Sequence, residues 1–179
     1  LCVSALVGEL SGDAGARGAV GPGWLVECTI VARRLLNGPL TWQAGGSDLT
    51  FPDYDLGAGH SWAGDHRPHA RHYAHTGMVG LDGHKMSKSR GNLVLVSKLR
   101  AAGIDPNAIR LAILDNHYRS DWFWTDDLLH KADARLETYR HAIAAATGDD
   151  SEGAVKTLDK VREYLADDLN APEALKALD

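Results

Sequence analysis

A short basic motif in the middle of the chain, Lys85-Met86-Ser87-Lys88-Ser89, constrains the structure more than any other feature, and we refer to it as the lysine loop. Its two lysines are three residues apart, serines separate and follow them, and glycines flank the segment. This composition predicts a mobile loop that brings two ammonium groups and several hydroxyl or backbone donors onto one polyanion, for which a triphosphate is the natural ligand. Cations that face developing charge in a transition state contribute about 10²–10³-fold in rate per group. A solvated basic turn is the alternative for lysines at this spacing.

The segment before this loop has the pattern of an α/β domain that presents a ligand site at the ends of its strands. Residues 24–36 are predicted to form a helix, which Asn37-Gly38-Pro39 ends. Residues 40–43 form a short predicted strand that runs into Gly45-Gly46-Ser47-Asp48, and residues 76–81 form a strand that leads into the lysine loop. In α/β sheets, polar groups that follow a strand and a glycine turn typically bind ligands. The apolar positions of the helix are Leu25, Cys28, Val31, Ala32, Leu35 and Leu36.

Two other stretches of this half carry weaker signals. Residues 1–23 are rich in glycine and alanine without sustained periodicity, and they are predicted to be an irregular lead-in. Histidines recur at positions 66, 69, 72 and 75. Side chains at this spacing drift by about 60° around a helix, so all four cannot converge on one metal ion. A solvated helix face, with one or two histidines lining a site, is the favoured interpretation.

After the lysine loop, the periodicity is helical almost throughout. Pro106 occupies a first-turn position, where a proline is well tolerated. The predicted helices cover residues 96–102, 106–114, 126–146, 154–165 and 174–178, with a turn at residues 148–151. The sequence therefore predicts an α/β protein in three parts: the lead-in 1–23, part of a nucleotide-binding domain over 24–95, and a helical bundle over 96–179.

The distribution of charge disfavours nucleic acid as a ligand. Residues 1–120 carry 12 basic and 10 acidic side chains, whereas residues 121–179 carry 7 basic and 14 acidic ones. An acidic C-terminal third is a poor surface for a phosphate backbone. The sequence has no long apolar run of the kind that spans a membrane and no convincing signal peptide. With only two cysteines, the expected location is the cytoplasm.

Three groups of residues, in their order and spacing, resemble the class I cysteinyl-tRNA synthetases, and more closely their relatives, the cysteine ligases of mycothiol biosynthesis. The groups are Gly23-Trp24-Leu25-Val26-Glu27-Cys28, the stretch from Gly45 to Pro52, and the lysine loop within residues 72–97. Further similarity to the ligases comes from His117-Tyr118-Arg119 and from the segment between Leu165 and Leu169. The resemblance covers about residues 20–179.

This resemblance implies the C-terminal part of a Rossmann-like class I synthetase domain followed by an all-helical bundle. It also implies a two-step reaction in which L-cysteine and ATP give cysteinyl-AMP and pyrophosphate, and the amine of glucosaminyl-inositol then attacks the acyl carbon. By position in the motif, Lys85 and Lys88 would be catalytic and would bind the phosphates. Met86, Ser87 and Ser89 would complete the nucleotide-binding loop.

The same resemblance assigns residues to the rest of the nucleotide and to the amino acid. Gly46, Ser47 and Asp48 match the stretch that holds the adenosine part. The chemistry agrees, because glycine permits close backbone approach and a carboxylate can accept hydrogen bonds from both ribose hydroxyls. Trp24 would border the cysteinyl pocket, and a backbone group at Val79 would meet the adenine.

A zinc ion that selects the cysteine thiolate is also implied, with Cys28 as one ligand. A lone cysteine on an apolar helix face is otherwise an ordinary core residue. Where the family has a His-His-Glu run whose first histidine binds zinc, this chain has Asp53-Tyr54-Asp55, so Asp53 is the candidate second ligand. The family's first zinc cysteine and its histidine-bearing nucleotide signature have no counterpart, and Cys2 lacks the expected surroundings.

Three functions are consistent with these residues. The first is the cysteine ligase, with a missing N-terminal half as a possible partner of this chain. The second is a cysteinyl-tRNA synthetase, against which stand the acidic C-terminal third and the lack of a recognisable anticodon-binding module. The third is a catalytically incomplete homologue that binds a nucleotide or a partner protein.

Overall fold

The structure is a computed structural model that describes residues 2–4, 12–13, 19–36, 38–146 and 152–179. The chain divides into two units, Leu1–Thr76 and Gly77–Asp179. This division lies earlier than the boundary predicted at residue 95. The strand that leads into the lysine loop pairs with a strand from the helical half, and the loop therefore belongs to the second unit.

Among its described residues, the first unit contains an antiparallel sheet, a parallel pair of strands and two helices. The elements are β1 (Cys2–Ser4), β2 (Gly12–Asp13), β3 (Ala19–Pro22), α1 (Trp24–Leu35), β4 (Leu40–Gly46), α2 (Asp55–Asp65) and β5 (Ala70–Thr76). The antiparallel sheet has the strand order β1-β3-β2, so the segment expected to be irregular contains short strands where it is described. Strands of two to four residues are too short to give an alternating signal in the sequence.

The parallel pair β4 and β5 forms the part of this unit that matters for a site. The two strands are in register from Leu40 opposite Ala70 to Gly46 opposite Thr76, and α2 lies in the connection between them. Parallel strands need such a crossover, which is usually helical. A tight turn over Ser47–Leu49 and a wider turn over Thr50–Tyr54 lead from β4 into α2.

Helix α1 begins at the predicted residue, but its packing face differs from the predicted apolar face. Thr29 is buried, whereas Val31 and Leu35 are 54% and 73% exposed. On the packing side, Arg33 donates to the Pro68 carbonyl at 3.3 Å and forms an ion pair with Asp65. These polar contacts with the end of α2 turn the helix so that much of its apolar stripe remains exposed.

The regularly spaced histidines do not share a helix face, so the prediction of a helix through them was wrong, although His69 lines a cavity as one or two of them were expected to do. Helix α2 ends at Asp65, and Pro68 disfavours a helical conformation for the residue before it. His72 and His75 lie on β5, where residues three apart point to opposite faces. The ring centroids of His72 and Trp42 lie 4.8 Å apart. A proline near the end of a helix outweighed the helical spacing of the histidines.

The second unit contains a small mixed sheet and helices whose predicted positions are confirmed to within a few residues. Its described elements are β6 (Val79–Leu81), β7 (His84–Lys85), α3 (Val96–Ala101), α4 (Pro106–Leu114), β8 (Trp122–Trp124), α5 (Asp126–Ala145), α6 (Glu152–Ala166) and α7 (Ala171–Leu178). Strand β6 pairs antiparallel with β7 and parallel with β8. The turn predicted at residues 148–151 lies outside the described residues.

The core of the second unit joins its sheet to its helices. Ile109, Ala112, Trp124 and Ala132 are buried together, and partly buried side chains from β6, the lysine loop and α3 pack around them. Helix α4 begins as predicted at Pro106. No helix in the described ranges is both long and apolar enough to cross a membrane.

Candidate functional site

The lysine loop begins on a β-hairpin of the second unit. Strands β6 and β7 pair with Gly80 opposite Lys85. The two residues of the turn, Asp82 and Gly83, have left-handed φ values of 51° and 76°. An Asp-Gly pair with two positive φ values is a preferred two-residue hairpin turn. The turn therefore fixes the register at which Lys85 leaves the sheet.

Asn92 holds the lysine loop from beyond its C-terminal end. Its Oδ1 accepts a hydrogen bond from the Ser87 amide at 2.9 Å, and its Nδ2 donates to the Lys85 carbonyl at 3.3 Å. The hydroxyls of Ser87 and Ser89 lie 3.3 Å apart, and Ser87 Oγ accepts from the Arg90 amide at 3.3 Å. These bonds fold the loop back onto the residues that follow it. The resemblance pointed to the serines but not to the bridging role of Asn92.

The lysine loop places its apolar side chain against the unit and its charged side chains outside. Met86 is half-buried and packs against the core around Ile109 and Trp124. Lys85 and Lys88 are both exposed. The resemblance assigned Met86 to the nucleotide site, and in the structure its side chain anchors the loop. A phosphate group in solvent could reach both lysines without displacing the core.

In the first unit, the predicted adenosine residues lie at the carboxyl end of β4. The strand ends at Gly46, and the exposed residues Ser47 and Asp48 follow in the tight turn. A Cβ atom at Gly45 would collide with the hydroxyl of Tyr54, which donates a hydrogen bond to a main-chain carbonyl of β4 at 2.9 Å. Tyr54 therefore fastens the turn to the strand. The carboxyl end of a parallel strand is where α/β sheets bind ligands.

A cavity of about 270 Å³ brings together three residues that the resemblance assigned to the amino acid and to zinc. Trp24, Cys28 and Asp53 all line it. Trp24 is 73% exposed, and Cys28 is a free, exposed thiol. The remaining lining residues are Leu25, Thr29, Ala32, Gln43, Leu49, Tyr54, Gly57 and His69.

His69, another possible metal ligand at this cavity, is already hydrogen-bonded. Its Nδ1 lies 2.8 Å from the Ser61 hydroxyl, and both residues are buried. Burial lowers the pKa of His69 and the charge of Arg33 lowers it further, so the imidazole is neutral at about pH 7. No sequence pattern pointed to this pair, because the helix that carries Ser61 and the strand region that carries His69 meet only in the folded chain.

The donors at this cavity have suitable chemistry for zinc but are too few. Thiolate and carboxylate groups both bind zinc, which takes three protein ligands in catalytic sites and four in structural sites. Among the described residues, no group of three or more His, Cys, Asp or Glu side chains is arranged to hold a metal ion. Cys28 and Asp53 therefore do not make a zinc site by themselves.

The predicted site residues thus fall into two groups, one in each unit. Trp24, Cys28 and Asp53 share the cavity of the first unit, which also contains the turn with Gly46, Ser47 and Asp48. The second unit contains the lysine loop and Val79, which lies opposite Trp122 in the sheet.

A parallel strand–helix–strand unit with polar groups at the strand end, together with a basic loop on a hairpin and a helical bundle, defines a class I synthetase-type fold. A solved structure with this fold is the ternary complex of Agrobacterium radiobacter K84 agnB2 LeuRS, tRNA and LeuAMS, with a TM-score of 0.64 and 15% identity. The match covers 94% of this chain and 28% of the chain in the solved structure. The family model for the class I (C) tRNA synthetase catalytic domain matches residues 11–134. The chain belongs to this family.

Several curated relatives of this chain carry the name L-cysteine:1D-myo-inositol 2-amino-2-deoxy-alpha-D-glucopyranoside ligase. The protein from Rothia mucilaginosa (strain DY-18) is 68% identical over 178 residues, which is 96% of this chain and 39% of the relative. The Kocuria rhizophila protein is 58% identical over 172 residues, with coverage of 96% and 39%. The Arthrobacter sp. (strain FB24) protein is 55% identical over 172 residues, with coverage of 96% and 40%. The chain spans about two fifths of the length of these relatives.

Proposed function

We propose that this chain forms part of an ATP-dependent ligase that joins L-cysteine to the amine of glucosaminyl-inositol, through cysteinyl-AMP, in mycothiol biosynthesis. The observation that most supports this proposal is the 68% identity over 178 residues to the Rothia mucilaginosa ligase. The geometry of the lysine loop supports the same chemistry, because it presents two cations on a backbone held by Asn92. Since ATP is a substrate, we place the activity in the cytoplasm.

In the first proposed step, a carboxylate oxygen of cysteine attacks the α-phosphorus of ATP. The bond from this phosphorus to the β-phosphate oxygen breaks, and pyrophosphate leaves with the bonding electrons. Negative charge accumulates on the leaving pyrophosphate, and the ammonium groups of Lys85 and Lys88 stabilise it. The bridge from Asn92 and the anchoring of Met86 hold the loop backbone before the substrate arrives, so less reorganisation is needed during the reaction.

In the second proposed step, the amine of the amino sugar attacks the acyl carbon of cysteinyl-AMP. AMP leaves, the nitrogen loses a proton, and an amide forms. The first unit would supply the binding surfaces for the adenylate. The turn with Gly46, Ser47 and Asp48 would hold the adenosine, and the cavity beside Trp24 and Cys28 would hold the cysteinyl part.

Exposed aromatic side chains of the first unit support the proposal that it packs against further polypeptide. Trp24, Trp42, Phe51 and Trp62 are 73%, 60%, 72% and 59% exposed. Parallel sheets are normally covered on both faces, and large exposed apolar surfaces mark interaction sites. We propose that the region outside the matched part of the relatives covers this surface and completes the active site, either in the same polypeptide or as a partner chain. A zinc site formed by Cys28 and Asp53 would take its further ligand from that region.

Grafting this chain into the Rothia mucilaginosa relative, in place of the region it matches, tests the proposal. The chimeric protein is expected to catalyse cysteine-dependent exchange of pyrophosphate into ATP. Lys88→Ala should lower the exchange rate by about 10²–10³-fold, because one transition-state cation is lost. Lys98→Ala, on the exposed part of α3, is the matched control and should leave the rate unchanged. An active chimera that is insensitive to Lys88→Ala would contradict the role of the lysine loop.

The family match makes a cysteinyl-tRNA synthetase the second candidate function. Assays of the same chimera with glucosaminyl-inositol and with tRNA as acceptors separate the two. Amide formation with the amino sugar supports the ligase, whereas cysteinylation of tRNA supports the synthetase. A chimera that is stabilised by a cysteinyl-adenylate mimic but has no exchange activity would instead support an incomplete homologue that only binds the nucleotide.

A further inference from the structure

The junction between α6 and α7 contains a backbone feature that the proposed reaction does not use. Asp168 and Leu169 both have a left-handed conformation, each with φ 55°, although neither is glycine. Such conformations are disfavoured for residues with a Cβ atom and persist where surrounding contacts hold them. Aspartate tolerates this region better than leucine, because its short polar side chain can bond locally.

The contacts that hold this junction come from a segment about fifty residues earlier in the chain. Tyr118 donates its hydroxyl to Asp168 Oδ1 at 2.8 Å, and Arg119 forms an ion pair with Asp168 Oδ2. His117 Nδ1 accepts from the Arg119 amide at 3.3 Å, so the other ring nitrogen carries the proton. That nitrogen, Nε2, donates to the Asp168 carbonyl at 3.1 Å. Both carboxylate oxygens and the carbonyl of Asp168 thus contact a single turn, which is formed by His117, Tyr118 and Arg119.

The opposite side of this turn holds the residues that lead into β6. The Tyr118 carbonyl accepts from the Gly77 amide at 2.8 Å. Asp121 Oδ1 accepts from the Met78 amide at 2.7 Å, and the Met78 carbonyl accepts from the Trp122 amide at 3.0 Å. The turn therefore contacts the α6–α7 junction on one side and the beginning of β6 on the other.

The backbone of this turn packs closely against the residues that lead into β6. A Cβ atom at Gly77 would collide with the backbone of Ser120, so the two backbones lie against each other without an intervening side chain. Strand β6 begins two residues later and pairs with β7, which ends at Lys85. Displacement of the turn would therefore move the strand that carries the lysine loop.

We propose that Asp168 is a positioning residue for the lysine loop and acts through the turn formed by Tyr118 and Arg119. The assignment rests on the proposed function only in that the lysine loop is taken to bind phosphates. Its alternative is a local role, in which Asp168 fastens α6 to α7 and has no effect on β6.

Hydrogen–deuterium exchange of the full 179-residue chain, measured by mass spectrometry, separates the two roles. Asp168→Gly removes the side chain while accommodating the left-handed backbone. It should raise the exchange rates of the amides in residues 77–87 by about tenfold, as expected when a charge-assisted hydrogen bond is lost. Asp168→Asn keeps an acceptor for Tyr118 but loses the charge that faces Arg119, so it should have an intermediate effect.

Leu169→Gly is the matched control, because it relaxes the neighbouring left-handed residue and leaves the Asp168 side chain in place. It should leave the exchange of residues 77–87 unchanged. The proposal is overturned if Asp168→Gly accelerates exchange only around residues 117–119 and 165–171, or if the control has an equal effect on residues 77–87. Tyr118→Phe, which removes one hydroxyl, gives the same comparison should Asp168→Gly fail to fold. Exchange needs no catalytic activity, so this test stands even if the proposed ligase reaction is refuted.

Discussion

Removal of the Asn92 side chain should release the lysine loop without unfolding the unit that carries it. The side chain makes one short hydrogen bond, from the Ser87 amide at 2.9 Å, and one longer bond, to the Lys85 carbonyl at 3.3 Å. A neutral hydrogen bond contributes about 0.5–1.5 kcal/mol net, and the longer bond belongs at the low end of that range. Asn92→Ala should therefore favour the open loop by about 1–2 kcal/mol, which corresponds to roughly 5–30-fold in its population.

Exchange of the Ser87 amide with deuterium measures this opening directly, because that amide is the donor of the shorter bond. We expect its exchange to be about 5–30-fold faster in Asn92→Ala than in the unmodified chain. Asn92→Asp keeps an oxygen that accepts from Ser87 but loses the donor to Lys85. The Ser87 amide should then remain nearly as protected as in the unmodified chain.

Asn116→Ala serves as a matched control, since Asn116 makes a comparable side-chain bond to the Ala112 carbonyl at 3.1 Å on another part of the second unit. It should leave the Ser87 amide unaffected. If Asn92→Ala does not accelerate exchange at Ser87, or if the aspartate variant exchanges as fast as the alanine variant, the bridge does not hold the loop.

Two further predictions concern a zinc site and a partly buried phenol. Elemental analysis of the chain alone should find less than one zinc ion per molecule. The chimera with the Rothia mucilaginosa region should hold about one zinc ion and should lose it in the variant Cys28→Ser. A chimera without zinc would refute the site. Burial raises the pKa of Tyr139 to about 12, helped by its 2.9 Å hydrogen bond to Asp179. Because the neutral phenol is stabilised, its contribution to folding should be complete below its ordinary pKa of 10.0 and disappear as the pH rises through about 12. Denaturant unfolding of the unmodified chain and of Tyr139→Phe should therefore converge over this pH range, and an ionisation of Tyr139 near its ordinary pKa would contradict the structure.

Local patterns in the sequence were sufficient to predict most helices and the position of the basic loop. Helix α4 begins at Pro106 because proline suits a first turn, and Asp105 caps it by accepting from the Asn107 amide at 2.8 Å. Helix α1 begins at Trp24, and the lysine loop follows a strand as expected. Each of these features depends on residues within a few positions of one another, so the sequence carries them directly.

The orientation of α1 about its own axis depended on other parts of the chain. Arg33 bonds to residues more than thirty positions later, and these contacts place Thr29 rather than the apolar stripe on the packed side. Spacing within a helix indicates which residues share a face, but it does not specify which face another element covers. The surface of the neighbouring element decides which face of the helix is buried.

The sequence alone indicated the class of chemistry that we propose, since the lysine loop and the glycine turn are contiguous motifs. Only the tertiary structure decided what positions them: Ser61 beside His69, and Tyr118 bonded to Asp168 across fifty residues. Bonds between distant residues leave no periodic pattern, because their geometry exists only after the backbone has folded. For the same reason, the cavity that Trp24, Cys28 and Asp53 line together was visible only in the structure, whereas the sequence grouped these residues only through the family resemblance.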